Sequence, residues 1–379
     1  MTSELSSLCS YAKGKVSVDT LSKRNYVSTE NMMPNKGGIV DAGALPSAQY
    51  TQQYIKDDIL VSNIRPYFKK IWMADDDGGC SNDVLVFRAD CGCDSTFLYY
   101  ILANDAFFNY ASATSKGTKM PRGDKTAIMQ YKVPCFNYET QLRIGKLLRS
   151  IDDRIAVNKK INDNLQQQLF SLYENMATAS PCLKEYTLSN LCDFQEGYVN
   201  PPQTHPGYFD GEVKWLRAVD INESFIIETS RTLTKAGFES AKKSALLFEP
   251  NTIAISKSGT IGRLGIIADY MCGNRAVINI APHDTNMLAF IYCFLKSKQR
   301  EFPDMAVGSV QKNLYVSLLE PLSVSIPDNE SLTAFNAVGA SILGMIHNNC
   351  VENTDLANLR DTILPKLMSG EIDVSSVLL

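Results

Sequence analysis

Two clusters of hydroxyl, amide and cationic side chains stand out in the second half of the sequence. Ser256, Lys257, Ser258, Thr260 and Arg263 crowd a stretch made tight by Gly259 and Gly262, and Ser309, Gln311, Lys312 and Asn313 follow Gly308. The first half offers Asn63, Arg65, Tyr67, Lys69 and Lys70, then Lys116, Thr118, Lys119 and Arg122. On exposed turns, side chains of these types reach base edges while neighbouring cations meet phosphates, and Gln and Asn suit adenine edges. Charge-rich turns are also ordinarily solvated loops, so each cluster counts for more than any single residue. Trp215 and Arg217, at the start of an apolar run, read instead as the edge of a core.

Catalytic readings fail on residue type and spacing. The string Asn200-Pro201-Pro202-Gln203 resembles the NPP-aromatic motif of adenine methyltransferases. Gln203, however, stands where an aromatic would stack on a flipped base, and no glycine-rich cofactor turn accompanies it. It reads as a proline loop. Gly259, Gly262 and Gly265 are spaced GxxGxxG, which is neither a dinucleotide nor a Walker fingerprint. Three histidines (His205, His283, His347) without a CxxC pair give no zinc site. No nuclease carboxylate–lysine cluster and no Ser/His/Asp arrangement stands out. The expectation is a chain with no catalytic residues, no metal and no cofactor of its own.

Composition agrees with an ordinary globular chain. Of 379 residues, 45% are hydrophobic and 21% charged. No apolar run approaches membrane-spanning length, the N-terminus lacks a signal-peptide core, and the ten cysteines read as free thiols in a reducing cytoplasm. The net charge of −4 is carried by the last fifty residues, where 2 Lys+Arg face 7 Asp+Glu after position 327. Any anion-binding surface must therefore be a local patch elsewhere.

Those clusters must be positioned by something, and the chain repeats itself at a shift of about 190 residues. Residues 57–75 return at 251–269 as strand, polar turn and strand. Residues 80–87 return at 272–280, the apolar helix of 95–105 returns at 285–297, and 115–125 returns at 306–316. The stretch 26–32 matches 215–221 more loosely. Each match is weak, but five in the same order make an internal duplication. Short β-rich runs with one or two apolar helices make each copy α+β.

A long helix follows each copy. Ile144, Leu148, Ile151 and Ile155, then Leu165, Leu169, Leu172 and Met176, alternate steps of three and four, and the gap in this seam falls on Asn158 and Asn162. The second helix places Asn349 and Asn353 at the same points. Two narrow seams in one chain are economically buried against each other as an antiparallel coiled coil. Facing asparagines would then penalise slipped registers. Ile144 to Met176 spans roughly 48 Å at 1.5 Å per residue, more than the roughly 34–36 Å turn of B-DNA. Pro181 marks the exit from the first helix, Pro327 and Asp328 the entry to the second, and Gly370 its C-cap. The boundaries expected are 1–135 for the first globular domain, 136–179 for the central helix, 180–327 for the second domain and 328–379 for the distal helix and tail.

The strings "LRDTILPKLMSGEI" (359–372), "DRIAVNKKINDNL" (153–165) and "SKSGTIGRLG" (256–265) resemble the two conserved helices and a target-recognition strand–turn of type I restriction–modification specificity subunits. The first copy departs from this pattern, with "SNIRPYFKK" in place of the glycine-rich turn. The resemblance implies two pseudo-symmetric α+β target-recognition domains separated by a long antiparallel two-helix coiled coil. It implies a non-catalytic bacterial-defence subunit that reads an asymmetric bipartite site on double-stranded DNA, one half per domain, with the gap set by the helices. It also implies docking of two methyltransferase subunits and of restriction/translocase subunits, with S-adenosylmethionine, ATP and Mg held by those partners. Two other classes stay open on the residues alone: a self-contained methyltransferase or nuclease, and an assembly scaffold.

Overall fold

The computed structural model describes residues 2–179, 184–309 and 311–374. Pro181 lies outside them. The chain divides into two compact units, Met1–Arg154 with Leu356–Leu379, and Ile155–Asp355.

In the first unit the runs "ILVS" and "VLVF" form the middle of a four-stranded antiparallel sheet, ordered Cys9–Tyr11, Val84–Ala89, Ile59–Ser62, Ile71–Met73. Alternate side chains of a strand point to opposite faces, and both faces are covered here. Ile59, Val61, Leu85 and Phe87 enter a core with Phe97, Tyr100 and Phe107, whereas Leu60, Val84 and Val86 enter a second core with Tyr54 and Cys80. This is why these strands are continuously apolar. A second sheet runs Lys15–Ser17, Tyr50–Tyr54, Gly78–Cys80, Tyr26–Val27, its last pair parallel.

The second unit repeats the central strands of this topology and differs at the sheet edges. Its main sheet runs Cys192–Glu196, Val277–Pro282, Ile253–Ser256, Leu264–Ile267, with Phe225–Ile226 added in parallel at the edge. Met271–Gly273 is again parallel to one strand, Phe209–Leu216, and antiparallel to another, Leu247–Phe248. The loosest sequence match therefore marks an equivalent pairing, since Tyr26–Val27 and Trp215–Leu216 occupy the same place. Each unit also holds an apolar helix at the matched stretch, Ser95–Ala103 and Leu288–Lys298.

The two long helices are Tyr138–Ala179 and Asn329–Ser369. Their entries match. Asn137 Oδ1 accepts the Thr140 amide at 2.8 Å, and 191 residues later Asp328 Oδ1 accepts the Ser331 amide at 2.8 Å, both satisfying donors that a helix start leaves free. The second helix ends at Gly370, whose φ of +77° allows Glu371 and Gly370 to donate to the carbonyls of Lys366 and Leu367.

Within each unit a stretch of one helix packs antiparallel on a stretch of the other. In the first unit Ile144 and Leu148 share a core with Leu364 and Leu367, and Arg360 pairs with Asp152 at 2.6 Å. In the second, Asn158 donates to Asn353 Oδ1 (3.1 Å) and Glu352 Oε2 (2.8 Å), while Asn349 donates to Asn162. Most of the expected seam is buried, with one correction. Leu172 is 42% exposed, and Tyr173 takes its place against Phe290 and Phe335. The step from Leu169 is four rather than three because a straight helix turns every 3.6 residues and drifts off a 3.5-residue seam. Here the helix turns toward the core of its unit, where Tyr173 meets Phe290 of the helix Leu288–Lys298 as well as Phe335 of the second long helix.

Small residues admit the helices to their units. A Cβ on Gly145 would meet Asp94 Oδ1 at 2.9 Å and the Phe97 nitrogen at 3.2 Å, beside the helix Ser95–Ala103. A Cβ on Gly339, in the second long helix, would meet the Ala289 Cβ at 2.6 Å on the helix Leu288–Lys298.

Candidate nucleic-acid interface

Each unit brings its two polar clusters together by the same construction. In the first, the turn after Ile59–Ser62 is closed by Ser62 N–H donating to Lys70 O at 3.1 Å. In the second, the turn after Ile253–Ser256 is closed by Ser256 N–H donating to Arg263 O at 2.9 Å. Beside each lies a seven-residue hairpin closed by an antiparallel bridge, Lys116↔Arg122 or Val307↔Asn313, with a positive-φ glycine second in the loop (Gly117, Gly308). Backbone bonds tie turn to hairpin. Gly123 N donates to Asn63 O (3.1 Å) and Arg65 N to Pro121 O (2.8 Å), and Leu314 N donates to Lys257 O (2.9 Å).

The backbone conformation explains how "SNIRPYFKK" replaces a glycine-rich turn. Gly259 and Gly262 have φ of +77° and +85°, and the corresponding places are held by Arg65 at +51° and Lys69 at +52°. The first turn has one residue more between its closing strands. A side chain in this left-handed region costs roughly 1–2 kcal/mol per residue, so the first unit carries strain that the second avoids. Arg65 precedes the tight turn Pro66–Phe68, in which Pro66 sits at the first position where its missing donor is harmless.

The side chains fall into tied and untied groups. Lys69 and Lys36 both bind Asp105, at 2.8 and 2.9 Å. Burial raises the Asp105 pKa, but the hydrogen bonds from Lys69 and Lys36 outweigh it and leave the carboxyl below its ordinary range. Lys70 donates to Thr29 O at 2.6 Å, and burial lowers its pKa despite the opposing charge of Glu30. Lys116 pairs with Asp124 (2.6 Å) and Arg122 with Asp83 (3.0 Å); the bond from Lys116, then the amides of Ala127 and Thr126, hold the Asp124 carboxyl low. Neither Arg65 nor Lys119 has an ion-pair partner among the described residues. Thr118 and Lys119 are exposed, Tyr67 is 52% exposed and its ring lies 4.8 Å from that of Phe68. Asn63 is buried, with an Oδ1 that meets no donor.

In the second unit Ser256 is 0% exposed, and its hydroxyl bridges the turn by donating to Thr260 O and accepting from Arg263 N. It fastens the loop and offers no surface. Lys257 pairs with Glu196 at 2.8 Å and lies 4.7 Å from the Tyr315 ring centroid. Thr260, Ser309, Gln311 and Lys312 are exposed, Ser258 and Arg263 half-buried. Asn313 donates to Gln311 O at 3.1 Å, bracing its own hairpin. The acidic partners Asp83, Asp105, Asp124 and Glu196 left no mark in the sequence, because Lys69 and Asp105 are joined by folding across 36 residues.

The decoys have local explanations. Gln203 accepts a bond from Arg231 at 2.8 Å, and Arg231 covers the Phe209 ring at 4.1 Å. Trp215 is buried and donates to Val199 O at 2.7 Å, with Arg217 over its ring. Among the described residues no group of three or more His, Cys, Asp or Glu could hold a metal ion, and no helix is long and apolar enough to cross a membrane.

Comparison with known proteins decides the family. The pattern described as the type I restriction modification DNA specificity domain matches twice, over residues 1–167 and 183–354. The chain belongs to this family. Its members are the non-catalytic DNA-recognition subunits of type I restriction systems. The specificity subunit of the type I restriction enzyme MjaIX from Methanocaldococcus jannaschii is 24% identical over 308 residues, 76% of this chain and 71% of that one. The HindI specificity subunit of Haemophilus influenzae is 26% identical over 176 residues, 45% of this chain and 38% of its own length. The crystal structure of the S subunit of the type I restriction–modification system from M. genitalium shares the fold, with a TM-score of 0.57 at 19% identity, covering 97% of this chain and 96% of that one.

Proposed function

We propose that this chain reads a bipartite, asymmetric double-stranded DNA site, one half through residues 1–135 and the other through residues 180–327. The observation that carries this reading is the pair of equivalent turn–hairpin platforms, one per unit, sharing their turn-closing bond and one turn-to-hairpin bond but bearing different side chains. Same scaffold and different chemistry is what two unlike half-sites require. The exposed hydroxyl, amide and cationic groups suit base edges and phosphates. The net charge of −4 leaves a share of the phosphate contacts, which supply most non-specific affinity, to partner subunits.

On this reading the long helices set the number of base pairs between the half-sites and dock two methyltransferase subunits, with restriction/translocase subunits joining the complex. S-adenosylmethionine, ATP and Mg belong to those partners, and the complex works in the cytoplasm. The test is to exchange residues 1–135 for the matching segment of a relative and map methylated adenines produced by the assembled methyltransferase. One half of the target should change and the other persist. An unchanged target, or methylation without sequence preference at moderate salt, would overturn the proposal.

A further inference from the structure

We infer that Arg65 is the guanine-reading residue of the first unit, an assignment that rests on the base-reading function proposed above and deepens it. Four observations converge on this side chain. First, it holds a left-handed backbone conformation that the second unit gives to Gly259, so an arginine is kept where glycine is the unstrained choice. Second, the other cations of its platform, apart from the exposed Lys119, are engaged: Lys69 with Asp105, Lys70 with Thr29 O, Lys116 with Asp124 and Arg122 with Asp83. Arg65 has no such partner among the described residues, and its Nε, shielded from solvent, meets no acceptor.

Third, its backbone is fixed on both sides. Its N–H is bound to Pro121 O at 2.8 Å, and its carbonyl accepts from Phe68 N at 3.0 Å. A guanidinium on an anchored Cα can be aimed, which base reading needs and phosphate attraction does not. Fourth, the exposed rings of Tyr67 and Phe68 follow it across Pro66, supplying flat apolar surface in the same turn. A planar fork with two parallel donors matches the O6 and N7 acceptors of guanine in the major groove, the commonest specific side-chain pairing. Lysine, a single point charge, cannot reproduce it.

The test uses the complex of this chain with its methyltransferase partner and maps methylated adenines over a randomised site library. Arg65→Gly suits the backbone and should fold with an unreduced melting temperature; Arg65→Lys keeps the charge and loses the fork. Both should relax discrimination at one G·C pair of the first half-site by about 5- to 150-fold, leaving its other positions and the second half-site as they were. Retention of full discrimination by Arg65→Lys, or a uniform loss across all sequences with a shallower salt dependence in Arg65→Gly, would mark a phosphate contact and overturn the assignment. So would relaxation at a pair other than G·C, or undiminished discrimination in both variants. A wild-type complex that methylates without any preference would instead overturn the underlying function.

Discussion

Asn349 donates its side-chain amide to the Asn162 carbonyl oxygen at 2.8 Å, across the antiparallel helices of the second unit. Asn162 in turn donates to the Cys350 sulfur at 3.5 Å, and Asn158, fully buried, reaches Glu352 and Asn353. Asparagines in an apolar seam lower stability relative to leucine but penalise every register in which they miss each other. Asn162→Leu strands the Asn349 amide and should cost about 1–3 kcal/mol. Asn162→Leu with Asn349→Leu removes both partners and should recover most of that loss. A double-mutant cycle from denaturant unfolding should give a coupling above about 1 kcal/mol; additive losses would show that the bond fixes nothing.

Gly339 and Gly344 make a contrasting pair on one helix. A Cβ at Gly339 meets Ala289 at 2.6 Å, whereas at Gly344 it meets nothing within 4 Å. Gly339→Ala should therefore destabilise by about 1–3 kcal/mol through overpacking. Gly344→Ala should stabilise by roughly 0.5–1 kcal/mol, because alanine loses less backbone freedom in a helix. Melting temperatures of the two variants should move in opposite directions. A shift of the same sign in both would refute the close approach at Gly339.

The sequence carried the periodic features well. The duplication, the helix caps at Asp328 and Gly370 and the polar seam positions all follow from spacing that local geometry enforces. Leu172 misled because leucine fits either the seam or the surface, and only the bulk of Tyr173 against Phe290 decides which way the helix turns. Ser256 misled because a serine in a polar string looks like a ligand group, while its burial depends on bonds to Thr260 and Arg263 within the turn. The neutralisation of Lys69, Lys116 and Arg122 was illegible because their carboxylate partners are brought close only by the fold. The match of 57–75 to 251–269 sets Arg65 against Gly259, but that the arginine shares the glycine's left-handed backbone was equally hidden, since nothing in "SNIRPYFKK" announces a positive φ.

The carboxylate of Asp105 gives the first unit an acid-sensitive brace. Its folded pKa lies below the unfolded value because Lys69 and Lys36 outweigh its burial. The stabilisation is therefore complete above the ordinary aspartate pKa of about 3.9 and is lost as pH falls through the lower folded value. The side chain is 55% exposed, so solvent screening keeps the contribution under about 1 kcal/mol. Asp105→Asn should melt slightly below wild type at pH 7, and the difference should vanish once wild-type Asp105 is itself protonated. A gap of constant size across that range would show that the lysines draw no stability from the charge.

The spacing role proposed for the helices has a quantitative consequence. One heptad inserted into each long helix, at facing positions outside the 158–162 and 349–353 asparagines, keeps the seam in phase and adds about 10 Å of rise. At 3.4 Å per base pair this amounts to roughly three base pairs. If the helices set the interval between half-sites, methylome mapping of the assembled complex should show both half-sites unchanged and their separation lengthened by about that much. Inserting the heptad into one helix only leaves seven residues without a partner and should abolish methylation instead. An unaltered interval with the doubly extended chain would mean that the helices join the units without measuring the DNA between them.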